Sequence, residues 1–162
     1  VLFSYNSKRI LAAAALSVYL SYGAGMVMND CVDATTDSLH DTKNDRAIAS
    51  GRISKRAGWT YCALLSSISL SLGYVAVGAR YAIWTCSNLG LMLGYAFGLQ
   101  RIFLVKNILV GWLAVSPLVG AAATLSSSFG GIRISSFSKL VRLAAVGFSM
   151  QVTREILKDI EE

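Results

Sequence analysis

An all-α bundle of transmembrane helices is the architecture expected of these 162 residues, and three features of the sequence lead there. The mean hydropathy is +0.55, with 54% hydrophobic and only 15% charged residues, far from the balance of a soluble domain. The apolar residues come in long runs rather than amphipathic stripes, and about 20 such residues are what a hydrocarbon core of about 30 Å requires of a helix. The acids fall in two groups, Asp30, Asp33, Asp37, Asp41 and Asp45 near the start and Glu155, Asp159, Glu161 and Glu162 at the end. The chain between them carries none.

Taken in order, Ile10 to Met28 forms the first complete span, rich in Ala and Leu and entered at Lys8-Arg9. A polar stretch from Asn29 to Arg56 separates it from the second span, Thr60 to Ala79. There Ser66, Ser67, Ser69 and Ser71 can bond back to helix carbonyls or across to a neighbour. Tyr81 to Leu99 is the third span, in which Gly90, Gly94 and Gly98 repeat every four residues and are expected to admit a close helix partner. Asn107 to Leu125 is the fourth, and Pro117 inside it lacks the N–H of a regular turn, which predicts a kink or a local break. Ser126 to Ser138, with Gly130-Gly131, reads as a loop or re-entrant turn. The fifth span runs from about Lys139 to Thr153.

The composition also excludes other classes. The net charge is +6, yet the cations stand at the ends of apolar runs and never form a basic face, so nucleic acid is not an expected partner. Cys31, Cys62 and Cys86 have neither the number nor the spacing of a disulfide framework or zinc site and read as packing residues. His40, the single histidine, reads as a surface residue of the polar stretch. The opening VLFSYNSKRI lacks a methionine and a basic segment followed by a short apolar core, so the sequence is expected to begin inside a longer protein.

Alternating the crossings places both acidic groups on one side of the membrane. Lys43, Arg46, Arg52, Lys55, Arg56, Arg101, Lys106, Arg154 and Lys158 fall on that side too. This bias is modest, and it leaves plastid, mitochondrial and cell membranes open as the location of an integral membrane protein.

Asn29, Asp33 and Asp37 are spaced i, i+4, i+8, which stacks three oxygen-bearing side chains on one helix face, and Asp30 shares a face with Asp37. Like charges at that spacing repel. Carboxylate and amide oxygens are hard ligands suited to Mg²⁺, which binds through one or two carboxylates and completes its shell with phosphate oxygens and water. Glu155, Asp159 and Glu162 repeat the pattern on a second helix end and would form the opposite wall. Arg46, Arg52, Lys106, Arg154 and Lys158 are cations fit for phosphate. The sharp expectation is a metal–diphosphate site at a membrane face; the bland alternative is a set of solvated loop charges. A transporter of ions or metabolites is a further alternative, although its site would be expected near the bilayer midplane.

At these residues the sequence resembles the UbiA family of intramembrane prenyltransferases. The family's NDxxDxxxD signature is matched by Asn29, Asp30, Asp33 and Asp37, and its N-R-P-I-x-S-G-R-I-S loop by Asn44 to Ser54, with Ala47 in place of the usual proline. The second signature, close to R-E-I-x-K-D-I-E-D, is matched by Arg154 to Glu162, with Glu162 where aspartate is common. The loop and the second signature look closer to the branch containing digeranylgeranylglyceryl phosphate synthase and chlorophyll synthase. The resemblance implies one domain over 1–162, incomplete at both ends, corresponding to the second through sixth of nine helices.

It further implies Mg²⁺ held by Asn29, Asp30, Asp33, Asp37, Glu155, Asp159 and Glu162. Asp33, Asp37 and Lys158 would serve catalysis, and Arg46, Arg52, Lys106 and Arg154 would bind substrate. The expected donor is a polyprenyl diphosphate, the acceptor a lipophilic or aromatic molecule, and membrane lipid the surroundings. Tyr22, Tyr95, Phe97 and Trp112 could face an allylic cation through their rings. A terpene cyclase of the same fold would share the diphosphate site and need no separate acceptor.

Overall fold

The computed structural model describes residues 5–125 and 134–161, with side chains at 8–121 and 138–160. Five α-helices make up most of the described chain: α1 (Tyr5–Asp37), α2 (Lys55–Ala76), α3 (Ala79–Phe97), α4 (Phe103–Leu125) and α5 (Ile134–Glu161), with turns over 38–54 and a 3₁₀ turn at Leu99–Arg101. Lys8–Asp37, Lys55–Ala76 and Phe103–Ala121 are long and apolar enough to cross a membrane. Side chains such as Tyr19, Ile68, Ile83 and Met150 point outward, as lipid-facing surface permits.

α1 and α2 pack along each other through small residues. Ser17 and Ser69, both wholly buried, exchange bonds across the seam: the Ser17 hydroxyl donates to the Ser69 carbonyl at 2.9 Å and the Ser69 hydroxyl to the Ser17 carbonyl at 2.7 Å. In a bilayer no water competes for these groups. The chain then reverses through Val77 and Gly78, whose φ of +127° favours glycine. α3 follows, anchored by the Tyr81 hydroxyl donating to the Ala14 carbonyl at 2.8 Å. Ala24, Met28, Cys62, Leu89 and Met92 form the core where α1, α2 and α3 meet.

Three expectations need correction. α5 begins at Ile134 rather than near Lys139, so the expected loop is shortened from its far end; residues 126–133, with Gly130 and Gly131, lie outside those described. Among the described residues the glycine repeat of α3 meets no neighbouring helix: a Cβ at Gly90 or Gly98 would touch nothing within 4 Å, and one at Gly94 only Leu99. Close approach occurs instead at Gly73, where a Cβ would lie 2.8 Å from the Tyr81 ring, at Gly111 against Phe148 and Val152, and at Gly120 against Trp84.

Third, of the kink or local break expected at Pro117, the break does not occur, since α4 continues through it as one helix. Proline there leaves the carbonyl four residues earlier, that of Leu113, without its helical donor. The Tyr22 hydroxyl of α1 donates to that carbonyl. A side chain from a different helix thus replaces the missing N–H, the way a proline is tolerated inside a membrane helix.

Candidate functional site

α1 continues as a helix past Met28 to Asp37, so its acids project from a rigid element beyond the apolar run. The segment after it folds into successive turns, with His40 N bonded to the Asp37 carbonyl at 3.1 Å and Ser50 N to the Arg46 carbonyl at 2.8 Å. These turns carry Arg46 back over the helix end. One guanidinium nitrogen, Nη1, donates to Asp30 at 3.1 Å and to Asp37 at 2.9 Å. Asp37 is buried at 5% exposure, so Arg46 compensates a desolvated charge there. Between them in sequence, Asp33 accepts from the Asn29 amide at 3.0 Å and from the Gln100 amide at 3.1 Å.

The second group lies at the end of α5, against the start of α4. Lys106 donates to Asp159, and the Asn107 amide donates to its other oxygen at 3.2 Å. The Lys106 ammonium holds the Asp159 carboxyl below the usual carboxylate range, with the Asn107 bond acting in the same direction. Glu155, one turn earlier, accepts from the Gln151 amide at 3.1 Å. The two groups share a neighbourhood, since Tyr95 of α3 stands in the electrostatic field of Asp33, Lys106, Glu155 and Asp159.

A cavity of about 500 Å³ opens beside Tyr95. Asn29, Asp30, Arg46 and Gln151 line its polar end, and Tyr22, Met26, Met92, Val110 and Leu113 are among the residues of its apolar body. The volume is within the usual range for small-molecule sites, roughly 300–1,000 Å³.

Of the sequence-predicted metal and phosphate residues, Asn29, Asp30 and Arg46 line this cavity, whereas Asp33, Asp37, Lys106, Glu155 and Asp159 are not part of its lining. Arg52 is turned to Asp45 within the polar segment, at 3.1 Å between exposed groups. Arg154 and Lys158 lie with Met150 and Leu157 along another stripe of α5, lining a separate surface depression. Glu162 lies outside the described residues. Of the four aromatic candidates, Tyr22 and Tyr95 line the cavity; Phe97 stacks on Trp59 at 6.1 Å, and Trp112 pairs with Trp84 at 5.9 Å. Cys31 and Cys62 are buried packing residues and Cys86 is exposed.

Sequence reasoning missed Gln100, Asn107 and Gln151. The signal available for Gln151 was its i, i+4 spacing to Glu155; Asn107 directly follows Lys106. Gln100 meets Asp33 only through the packing of α1 on α3, so no local spacing marks it.

Among the described residues, no three carboxylate, thiol or imidazole groups stand close enough to chelate a metal by themselves. The donor chemistry nevertheless fits a hard divalent cation shared with a phosphate ligand. Asn29 Oδ1 and Asn107 Oδ1 are buried acceptors without a hydrogen-bond partner among the described residues, each beside an acid of a different group. Mg²⁺ typically takes one or two carboxylates and completes its shell with phosphate oxygens and water, so a preformed protein cage is not required.

The family model described as the UbiA prenyltransferase family matches residues 3–162. The chain is 33% identical over 149 residues to a digeranylgeranylglyceryl phosphate synthase of Methanothermobacter thermautotrophicus, covering 92% of this chain and 49% of the relative. It is 31% identical over 160 residues to the synthase of the same name from Methanosphaera stadtmanae, covering 98% and 53%. The corresponding Methanosarcina mazei protein is 32% identical over 147 residues, covering 91% and 47%. The chain thus spans about half the length of these curated relatives. No solved structure matches it.

Proposed function

We propose, since the chain belongs to the UbiA prenyltransferase family, that it serves Mg²⁺-dependent transfer of an isoprenyl group from a polyprenyl diphosphate to a lipophilic acceptor inside the membrane. The observation that supports this best is the cavity's own polarity. Its ionic end, at Asn29, Asp30 and Arg46, suits a diphosphate, and its apolar body suits a hydrocarbon tail. The names of the relatives favour a geranylgeranyl donor and a glyceryl phosphate alcohol as acceptor.

In this reading the bond between the allylic carbon and the diphosphate oxygen breaks, the diphosphate leaves with the electron pair, and the acceptor hydroxyl attacks the allylic carbon and releases its proton. Asp33, Glu155 and the free oxygens of Asn29 and Asn107 would hold Mg²⁺, whose chemistry is to neutralise charge on the leaving diphosphate. Arg46 would turn from its carboxylates to the phosphate oxygens, since a guanidinium matches either by paired bonds. Lys106 would add a point charge from the start of α4. Tyr22, Met92 and Leu113 would keep water from the reacting carbon, so that the acceptor is alkylated in preference to hydrolysis.

The test is diphosphate release from geranylgeranyl diphosphate by the full natural protein in lipid, with and without Mg²⁺. Release is expected to require the metal and to fall about 100-fold or more in Asp33→Ala and Glu155→Ala, as loss of one electrostatic stabiliser does. Metal-independent release, or variants equal to wild type, would refute the paired-acid site and favour cargo binding by a transporter.

A further inference from the structure

The carboxylates at this site differ in what holds them. Asp30 and Asp37 are paired with the Arg46 guanidinium, and Asp159 with the Lys106 ammonium. Asp33 and Glu155 make no salt bridge among the described residues; amides hold them. Asp33 accepts from Asn29 and Gln100, and Glu155 from Gln151. One amide-held carboxylate therefore comes from each acidic group, on α1 and on α5, and Tyr95 lies in the field of both.

The difference matters electrostatically. A cationic partner orients a carboxylate and also cancels its charge, whereas an amide N–H orients it and leaves the charge in place. The Gln100 amide is fixed, because Nε2 also donates to the Ala96 carbonyl at 3.1 Å and thereby ties the 3₁₀ turn to the last turn of α3. Gln151 reaches Glu155 along one face of α5 and lines the cavity.

We propose that Gln100 and Gln151 are positioning residues that aim Asp33 and Glu155 without closing a salt bridge on them, so that these two acids supply the charge that draws a divalent cation to the diphosphate. This rests on the reading of the site as a metal–diphosphate centre. Lysine at either position could satisfy the carboxylate as well as glutamine does, yet would place a competing positive charge about 3 Å from it, the length of a charge-assisted bond.

The experiment uses the full natural protein in lipid nanodiscs, with Gln100→Lys, Gln151→Lys, Gln100→Met and Gln151→Met. Mn²⁺ binding is read by electron paramagnetic resonance, alone and with inorganic diphosphate, beside the Mg²⁺ half-saturation of diphosphate release. The lysine variants are expected to keep the wild-type melting temperature and to weaken Mn²⁺ binding at least tenfold. The methionine variants lose only the aim of the acid and should weaken it two- to fivefold.

Lysine variants that bind Mn²⁺ as wild type does would overturn the proposal, and so would methionine variants as damaging as lysine. If Mn²⁺ binding changes as expected while wild type releases no diphosphate from any donor, the prenyltransferase reading fails and the positioning role stands. A wild type that binds no Mn²⁺ even with diphosphate overturns both.

Discussion

Asp159 shows how two neighbouring donors fix the charge of a residue. With Lys106 and Asn107 donating to it, its carboxyl is held below the ordinary value of 3.8. A lowered folded value means that the pair's stabilisation is fully present above about pH 4 and is lost only as the pH falls through that lowered value. Melting temperature measured from pH 6 down to pH 3 should therefore show an acid-side decline that Asp159→Asn lacks. Tyr22 offers a second residue-level test. Removing its hydroxyl in Tyr22→Phe leaves the Leu113 carbonyl without a donor and should cost about 0.6 kcal/mol, the average for hydrogen bonds between membrane helices, with about 1.7 as the upper end. Reversible unfolding in mixed micelles measures it. At this scale the sequence displayed the acids plainly, because Asn29, Asp33 and Asp37 repeat at helical spacing. It concealed the amides that aim them, because Gln100 reaches Asp33 across the fold.

α4 was readable as a span, yet the consequence of Pro117 was not. Sequence alone identifies the missing N–H, whereas the donor that replaces it comes from α1, a helix distant in the chain. Pro117→Ala restores a local donor to the Leu113 carbonyl, so Tyr22→Phe should cost less in that background than in the natural one. A double-mutant cycle on the two positions reads the coupling, and strict additivity would mean that the Tyr22 hydroxyl does not replace the lost bond. The glycines of α3 teach a related lesson. A four-residue repeat shows that a helix face is flat but not that another helix comes to it, and close packing fell at the isolated Gly73. Gly73→Ala should push against the Tyr81 ring and destabilise by about 1–3 kcal/mol, whereas Gly90→Ala, with open space before it, should be tolerated. α5 began earlier than expected because three serines interrupt Ile134 to Ser138, which hides the start of a helix from any search for unbroken apolar runs.

Across the whole molecule, α1 packs mainly on α2, α4 on α5, and α3 lies between the two groups. The acids of the first signature ride on one group and those of the second on the other. A cation and diphosphate bound between them should draw the ends of α1 and α5 together. Spin labels at Leu39 and Ile160, both exposed, in a Cys86→Ser background would report a shorter and narrower distance when Mg²⁺ and inorganic diphosphate are added. An unchanged distribution would mean that the acids do not share one metal. The five helices and their order were legible from hydropathy, although three of them rather than five are long and apolar enough to cross a membrane; their division into two packed groups depends on which small residues meet, and no local pattern encodes it. The thiols carry a further consequence. Cys31 lies beneath Gly58 in the seam between α1 and α2 and Cys62 in the adjoining core, whereas Cys86 is open. A membrane-permeant thiol reagent should therefore find Cys86 at once and the other two only when the seam parts. Their delay relative to Cys86 acts as a clock within the natural sequence, timing how often α1 and α2 come apart.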